Sequence, residues 1–119
     1  MPFNKFSLDK LLVVRARIIR MCHESAVKIV YVDFDGVICE ATFSLASSLQ
    51  DEAVKRRDAW WKQLPLAERK AREERRKNNP SWDDLPLRQQ VEVLGLVDVE
   101  AKRTRKIAVE NILTAECVA

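Results

Sequence analysis

"KIVYVDFDGVICEATF", residues 28–43, decides how much of this chain is read as sheet. Apolar and polar residues alternate on both sides of Asp35-Gly36. Asp-Gly flanked by such alternation is the strongest short-range signal for a β-hairpin. With Asp35-Gly36 as a two-residue turn, Lys28–Phe34 pairs with Val37–Phe43. Val30, Val32, Phe34, Val37, Cys39 and Ala41 then share one face. Ile29, Tyr31, Asp33, Ile38, Glu40 and Thr42 share the other, because strand side chains alternate with period two. A two-stranded ribbon is marginal alone, so its apolar face is expected to rest on helices.

Working outward, Ser7 is placed to cap a helix over residues 7–24. Leu8, Leu11, Leu12, Ile18, Ile19 and Cys22 fall on one arc of it, opposite Lys10, Arg17, Arg20 and Glu24. Arg15 lies in the middle of the apolar arc, where a guanidinium either pairs with an internal carboxylate such as Asp33 or Glu40, or contacts a partner. Past the hairpin, Leu45, Leu49, Ala53, Trp60 and Leu64 form a stripe at helical spacing over about 45–63, with Trp60 expected in the core. Trp61-Lys-Gln-Leu-Pro-Leu66 recurs as Trp82-Asp-Asp-Leu-Pro-Leu87, and each proline suits a helix start. Helices are therefore expected over 66–78 and 86–94, the second stopped by Gly95. A last helix over 98–116 would be capped by Asp98, although the alternation in "VEVLGLVDV" leaves a strand open over 91–99. The expected fold is α+β: one mostly helical domain, 1–119, with a single N-terminal hairpin.

Composition narrows the class. A chain of 119 residues, 47% hydrophobic and 33% charged, is expected to fold around one modest core. Three cysteines without CxxC spacing argue against a disulfide framework and a zinc site, and for a reducing, cytoplasmic setting. No apolar run approaches the roughly 18 residues of a membrane span, so no membrane partner is expected. His23 is the only histidine, and its neighbour Cys22 points elsewhere on a helix, so no nucleophile–base pair forms locally. No catalytic residue, metal ligand or cofactor is assigned.

The run ending Asp33-Phe34-Asp35-Gly36 resembles the start of the active site of haloacid-dehalogenase-like phosphatases. That resemblance implies Asp33 as nucleophile, Asp35 as acid/base and Mg²⁺ between them. It covers about ten residues, and the remainder departs from the family. Asp83-Asp84 is an acidic pair, but "NNPSW" before it is no strand, and the chain after Asp35 is too short for a doubly wound sheet. The turn is therefore the adopted reading, and phosphatase chemistry is a second alternative.

Charge is uneven. Residues 44–79 hold ten Lys/Arg against six Asp/Glu, and residues 80–119 hold five against seven. Two segments stand out as contacts for nucleic acid or another partner. One is Lys102, Arg103, Arg105 and Lys106, which would open the second helix of a helix-turn-helix built around Gly95–Asp98. The other is "LAERKAREERRK", residues 66–77, with Arg69, Arg72, Arg75 and Arg76 near Trp60, Trp61 and Trp82. Cations interleaved with aromatics suit single strands. The reading is a small non-enzymatic binding or regulatory protein with nucleic acid as leading partner. The alternative is a docking module or inhibitor of a larger complex, of the phage or plasmid type, or a homo-oligomer, with Arg15, Trp61 and Trp82 as contacts.

Overall fold

The computed structural model describes residues 6–118. Helix α1 (Leu8–Glu24) leads into strands β1 (Ala26–Val32) and β2 (Ile38–Ser44). Helices α2 (Ser47–Gln63), α3 (Leu66–Asn78) and the short α4 (Leu87–Val91) follow, with a 3-10 turn over Trp82–Asp84. The chain closes with β3 (Val93–Asp98), β4 (Arg103–Ala108), a 3-10 turn over Val109–Asn111, and β5 (Ile112–Val118). The five strands form one antiparallel sheet in the order β4-β3-β2-β1-β5.

The class is α+β, with more helix than strand, but the expectation of a single N-terminal hairpin is corrected to a five-stranded sheet. The helix expected over 98–116 is two strands and a turn, and the one expected over 86–94 stops at Val91, with Gly95 inside β3. The physical reason lies in burial set by neighbouring strands. Leu94 and Leu96 on β3 and Ile107 on β4 are buried, while Arg103, Arg105 and Lys106 occupy exposed positions. An edge strand tolerates charge on its open side as readily as a helix does. The helices over residues 8–24, 47–63 and 66–78 sit where periodicity places them, and Ser7 Oγ accepts from the Lys10 N–H at 3.2 Å.

The hairpin is present, but its register is shifted by one. Tyr31 pairs with Cys39 and Val32 with Ile38, so the loop is longer than Asp35-Gly36. Gly36 adopts φ +84°, a left-handed conformation open to glycine, and donates to Asp33 O at 3.0 Å. Asp33 Oδ1 accepts from the N–H groups of Asp35 and Val37, both at 2.9 Å. A slip of one residue swaps the faces of a strand. Val27, Ile29 and Tyr31 are the buried set on β1, whereas Phe34, Val37 and Ile38 are exposed.

Leu11, Ile18 and Cys22 of α1 press into this face together with Phe43, Leu94, Leu96, Ile107 and Val109. The ring of Tyr31 meets that of Phe43 edge-on at 5.9 Å. Closure of the sheet follows from chain geometry. A 3-10 turn rises about 2 Å per residue, so Val109–Asn111 spans under about 10 Å. Five flat strands would set the outer pair about 19 Å apart. The sheet must therefore curl, bringing its edges β4 and β5 together at this end. Arg88 of α4 pins the turn, donating to Glu92 at 2.9 Å and to the buried Glu110 at 2.8 Å. The Val109 N–H donates to Glu92 O at 2.8 Å.

The observed register sets a direct test with one chemistry at two sites. Ile29 is fully buried and Ile38 is 68% exposed. Ile29→Ala is expected to cost about 2–5 kcal/mol in urea unfolding and Ile38→Ala under about 1 kcal/mol. Equal losses would contradict the pairing.

Candidate nucleic-acid interface

Helix α2 lies against β4 and β3, and α3 meets the end of α2 through arginines placed over its tryptophans. The stripe that periodicity assigns to the core of α2 is mostly not buried there, since among its residues only Ala53 is buried. Trp60, expected in the core, is 46% exposed. Its ring carries the Arg72 guanidinium at 5.1 Å, and the Trp61 ring carries that of Arg76 at 5.8 Å. The two indoles are 6.5 Å apart and tilted by 56°. Cation–π contacts at exposed sites contribute about 0.5–1 kcal/mol each. Helix α3 has no buried residue, so these contacts are a large part of what holds it.

Two concavities meet on this side of the molecule. One, of about 810 Å³, is lined by Arg57, Asp58, Trp60, Trp61, Arg72, Arg75, Arg76 and Asn79. The other, of about 550 Å³, is lined by Ala53, Val54, Arg56, Arg57, Trp60, Ala101, Arg103 and Thr104. Arg57 and Trp60 line both, so the two adjoin at these side chains of α2. Side by side they make a two-part trough, from Ala101 and Arg103 at the β3–β4 turn to Asn79 at the end of α3. Six arginines line it against one carboxylate, Asp58. Arg56 pairs with Glu52 at 3.2 Å and Arg72 with Glu68 at 3.0 Å. Arg57, Arg75, Arg76 and Arg103 form no ion pair among the described residues.

The structure thus joins parts of two segments that the sequence presents as separate surfaces. From residues 66–77 and the tryptophans near them come Arg72, Arg75, Arg76 and Trp61, and from residues 102–106 comes Arg103. Arg57 and Arg56 were not singled out by sequence reasoning, and the signal was available in "KRR", residues 55–57. The helix-turn-helix is overturned, since Gly95–Asp98 belongs to a strand and residues 102–106 to a hairpin.

Other candidates fall outside the trough lining. Lys102 sits in the β3–β4 turn at φ 54°, its N–H donating to Asp98 O at 2.7 Å. Lys106 is exposed on β4. Arg105 donates to the buried Asp98 at 2.8 Å. Burial of Asp98 pushes its carboxyl up, but the Ala101 N–H, Arg105 and the Glu100 N–H outweigh that and hold it below the usual carboxylate range. Arg105 therefore braces the turn. Arg69 is half-buried on α3, its Nε without a hydrogen-bond partner among the described residues. Trp82, 53% exposed, lies in its own 3-10 turn.

Arg15 is half-buried on α1, beside Leu12, Ala16, Ile19 and His23. It pairs with neither Asp33 nor Glu40. Glu40 meets Lys28 at 3.2 Å on the face of β1 and β2 turned away from α1, and Asp33 holds the hairpin loop. The Arg15 Nε is shielded from solvent, with no hydrogen-bond partner among the described residues.

The Asp33-Phe34-Asp35-Gly36 run forms the hairpin loop of an antiparallel sheet. The Asp33 carboxyl is held below its ordinary range by the Val37 N–H foremost, with Cys39, Asp35 and Gly36 contributing. No group of three metal-ligating side chains occurs among the described residues. Cys22 and His23 part ways as helical geometry requires, Cys22 buried and His23 exposed. Burial foremost, then the nearby Cys117, pushes the Cys22 thiol up to about 11. No helix among the described residues is long and apolar enough to cross a membrane.

Against known proteins, the chain matches no family model, no curated protein and no solved structure.

Two outcomes are expected. By native-state hydrogen exchange, α3 amides open with free energies at least about 2 kcal/mol below those of β1, because local stability follows buried contact. Equal protection would mean that α3 is part of the core. With a thiol reagent at pH 8, the exposed Cys117 reacts first, and Cys22 reacts only on unfolding, being both buried and protonated.

Proposed function

We propose that this protein binds nucleic acid through the arginine–tryptophan trough between β4, α2 and α3. The observation that supports this best is convergence. Cations from residues 56–57, 72–76 and 103 line two adjoining concavities that share Arg57 and Trp60, and four of these six arginines form no ion pair among the described residues. Clustered cations without internal partners repel one another and destabilise the folded state. A polyanion relieves that repulsion and gains from counterion release. A structural role for the same arginines would pair them, as Arg88 and Arg105 are paired on other parts of the molecule.

A second reading, a docking module for a larger protein complex, draws on the exposed apolar side chains Val37, Ile38 and Leu113 near the hairpin tip and on β5. The trough is favoured because its charge names the chemistry of the ligand, whereas scattered apolar residues are normal on any surface.

The test is fluorescence anisotropy of labelled nucleic acid from 50 to 300 mM salt. Micromolar or tighter binding is expected, falling steeply with salt. The double variant Arg75→Gln/Arg76→Gln should weaken it at least tenfold. It should also lower the slope of log K against log salt by about 0.7–0.9 per lost phosphate contact. Arg17→Gln, on the exposed side of α1, should change neither. No binding at 50 mM would overturn the proposal.

A further inference from the structure

Resting on that reading, we infer that the ligand is a single strand, held by its phosphates on the arginines while a base stacks on Trp60. Three observations on the trough point this way. Its cations line two adjoining recesses, one beside β4 and one beside α3, that share Arg57 and Trp60. Reading duplex DNA calls for an element that projects into a major groove about 12 Å wide. Here the cations are spread over β4, α2 and α3 rather than gathered on one projecting element.

The second observation is the ring of Trp60, 46% exposed where these recesses adjoin. A duplex hides its base faces in the stack, so an indole there would meet only backbone. A single strand offers a π-face from every base, and the trough provides what such ligands use: a positive groove with an aromatic platform.

The third is the cation already over that ring. Arg72 covers Trp60 from 5.1 Å and pairs with Glu68 only at the exposed surface. Base stacking on an aromatic ring outweighs an exposed cation–π contact. An arriving base would displace the guanidinium, freeing Arg72 for the adjacent phosphate. One exchange satisfies base, ring and cation together. Trp61 stays covered by Arg76 and keeps α3 in place.

The experiment uses the full chain with four labelled 12-mers: single-stranded RNA, single-stranded DNA, duplex RNA and duplex DNA. Heparin serves as a polyanion without bases. At 100 mM salt the single strands should bind at least tenfold tighter than duplexes of equal length and quench tryptophan fluorescence. Whether RNA or DNA binds better identifies the sugar. Trp60→Leu should bring the single-strand to duplex ratio close to one, Trp60→Phe should restore part of it, and Trp82→Leu should leave it unchanged. Circular dichroism of each variant establishes that the helices persist. Duplex binding equal to single-strand binding, or a ratio insensitive to Trp60→Leu, would overturn this inference and leave the basic trough standing. Failure to bind any nucleic acid or heparin at 50 mM salt would overturn both.

Discussion

The ion pair between Arg88 and Glu110 holds the point where the sheet comes round on itself. Glu110 lies in the three-residue turn joining the two edge strands, and its carboxylate is almost wholly removed from solvent. A buried carboxylate without its cation is costly, so this contact fixes α4 against the turn more than it adds net stability. With the turn fixed, β5 is delivered to β1, and the sheet wraps the side chains of α1. The buried set of Leu11, Ile29, Phe43, Leu96 and Ile107 exists because the curl gives α1 a concave surface to fill.

The α2–α3 arm is built on different physics. It leaves the sheet after β2 and returns through α4 to β3, which sits next to β2. The strands on either side would be neighbours with or without it. The arm touches β4 and β3 through α2, while α3 has no buried residue and leans on α2 through its arginine–tryptophan contacts. Rigid sheet and loosely held arm together form the trough, so one wall is fixed and the other is free to adjust.

Much of the local structure was legible in the sequence, and the reasons for the misses are specific. Ser7 and the spacing of Leu11, Ile18 and Cys22 marked α1, and the prolines marked the starts of α3 and α4. Asp-Gly marked the hairpin but not its register, because Gly36 can be the second residue of a tight turn or the left-handed residue of a longer loop. That choice decided whether Ile29 or Val30 faced the core. Residues 98–116 read as helix because Glu, Ala, Lys and Arg are strong helix formers. Their burial depends on Leu94 and Leu96 lying alongside, which is a tertiary fact. Trp60 was read as core because helical periodicity marks an apolar stripe without saying what covers it. The trough was legible only in pieces, since Arg75 and Arg103 stood out in separate segments and come near Arg57 only through the placement of α2.

The pairing of β1 with β5 has a further meaning in time. Ala26 lies beside Val118, so nearly the whole chain must be made before the sheet can close. The hairpins β1–β2 and β3–β4 are local and form early, whereas β1–β5 is a contact between distant parts of the chain and governs the folding rate. Residues 45–92 lie inside that loop, yet the entropy of closing it grows only with the logarithm of its length. Doubling such an insertion costs about 0.6 kcal/mol. The five-stranded sheet can therefore carry arms of very different lengths between β2 and β3 at small entropic cost.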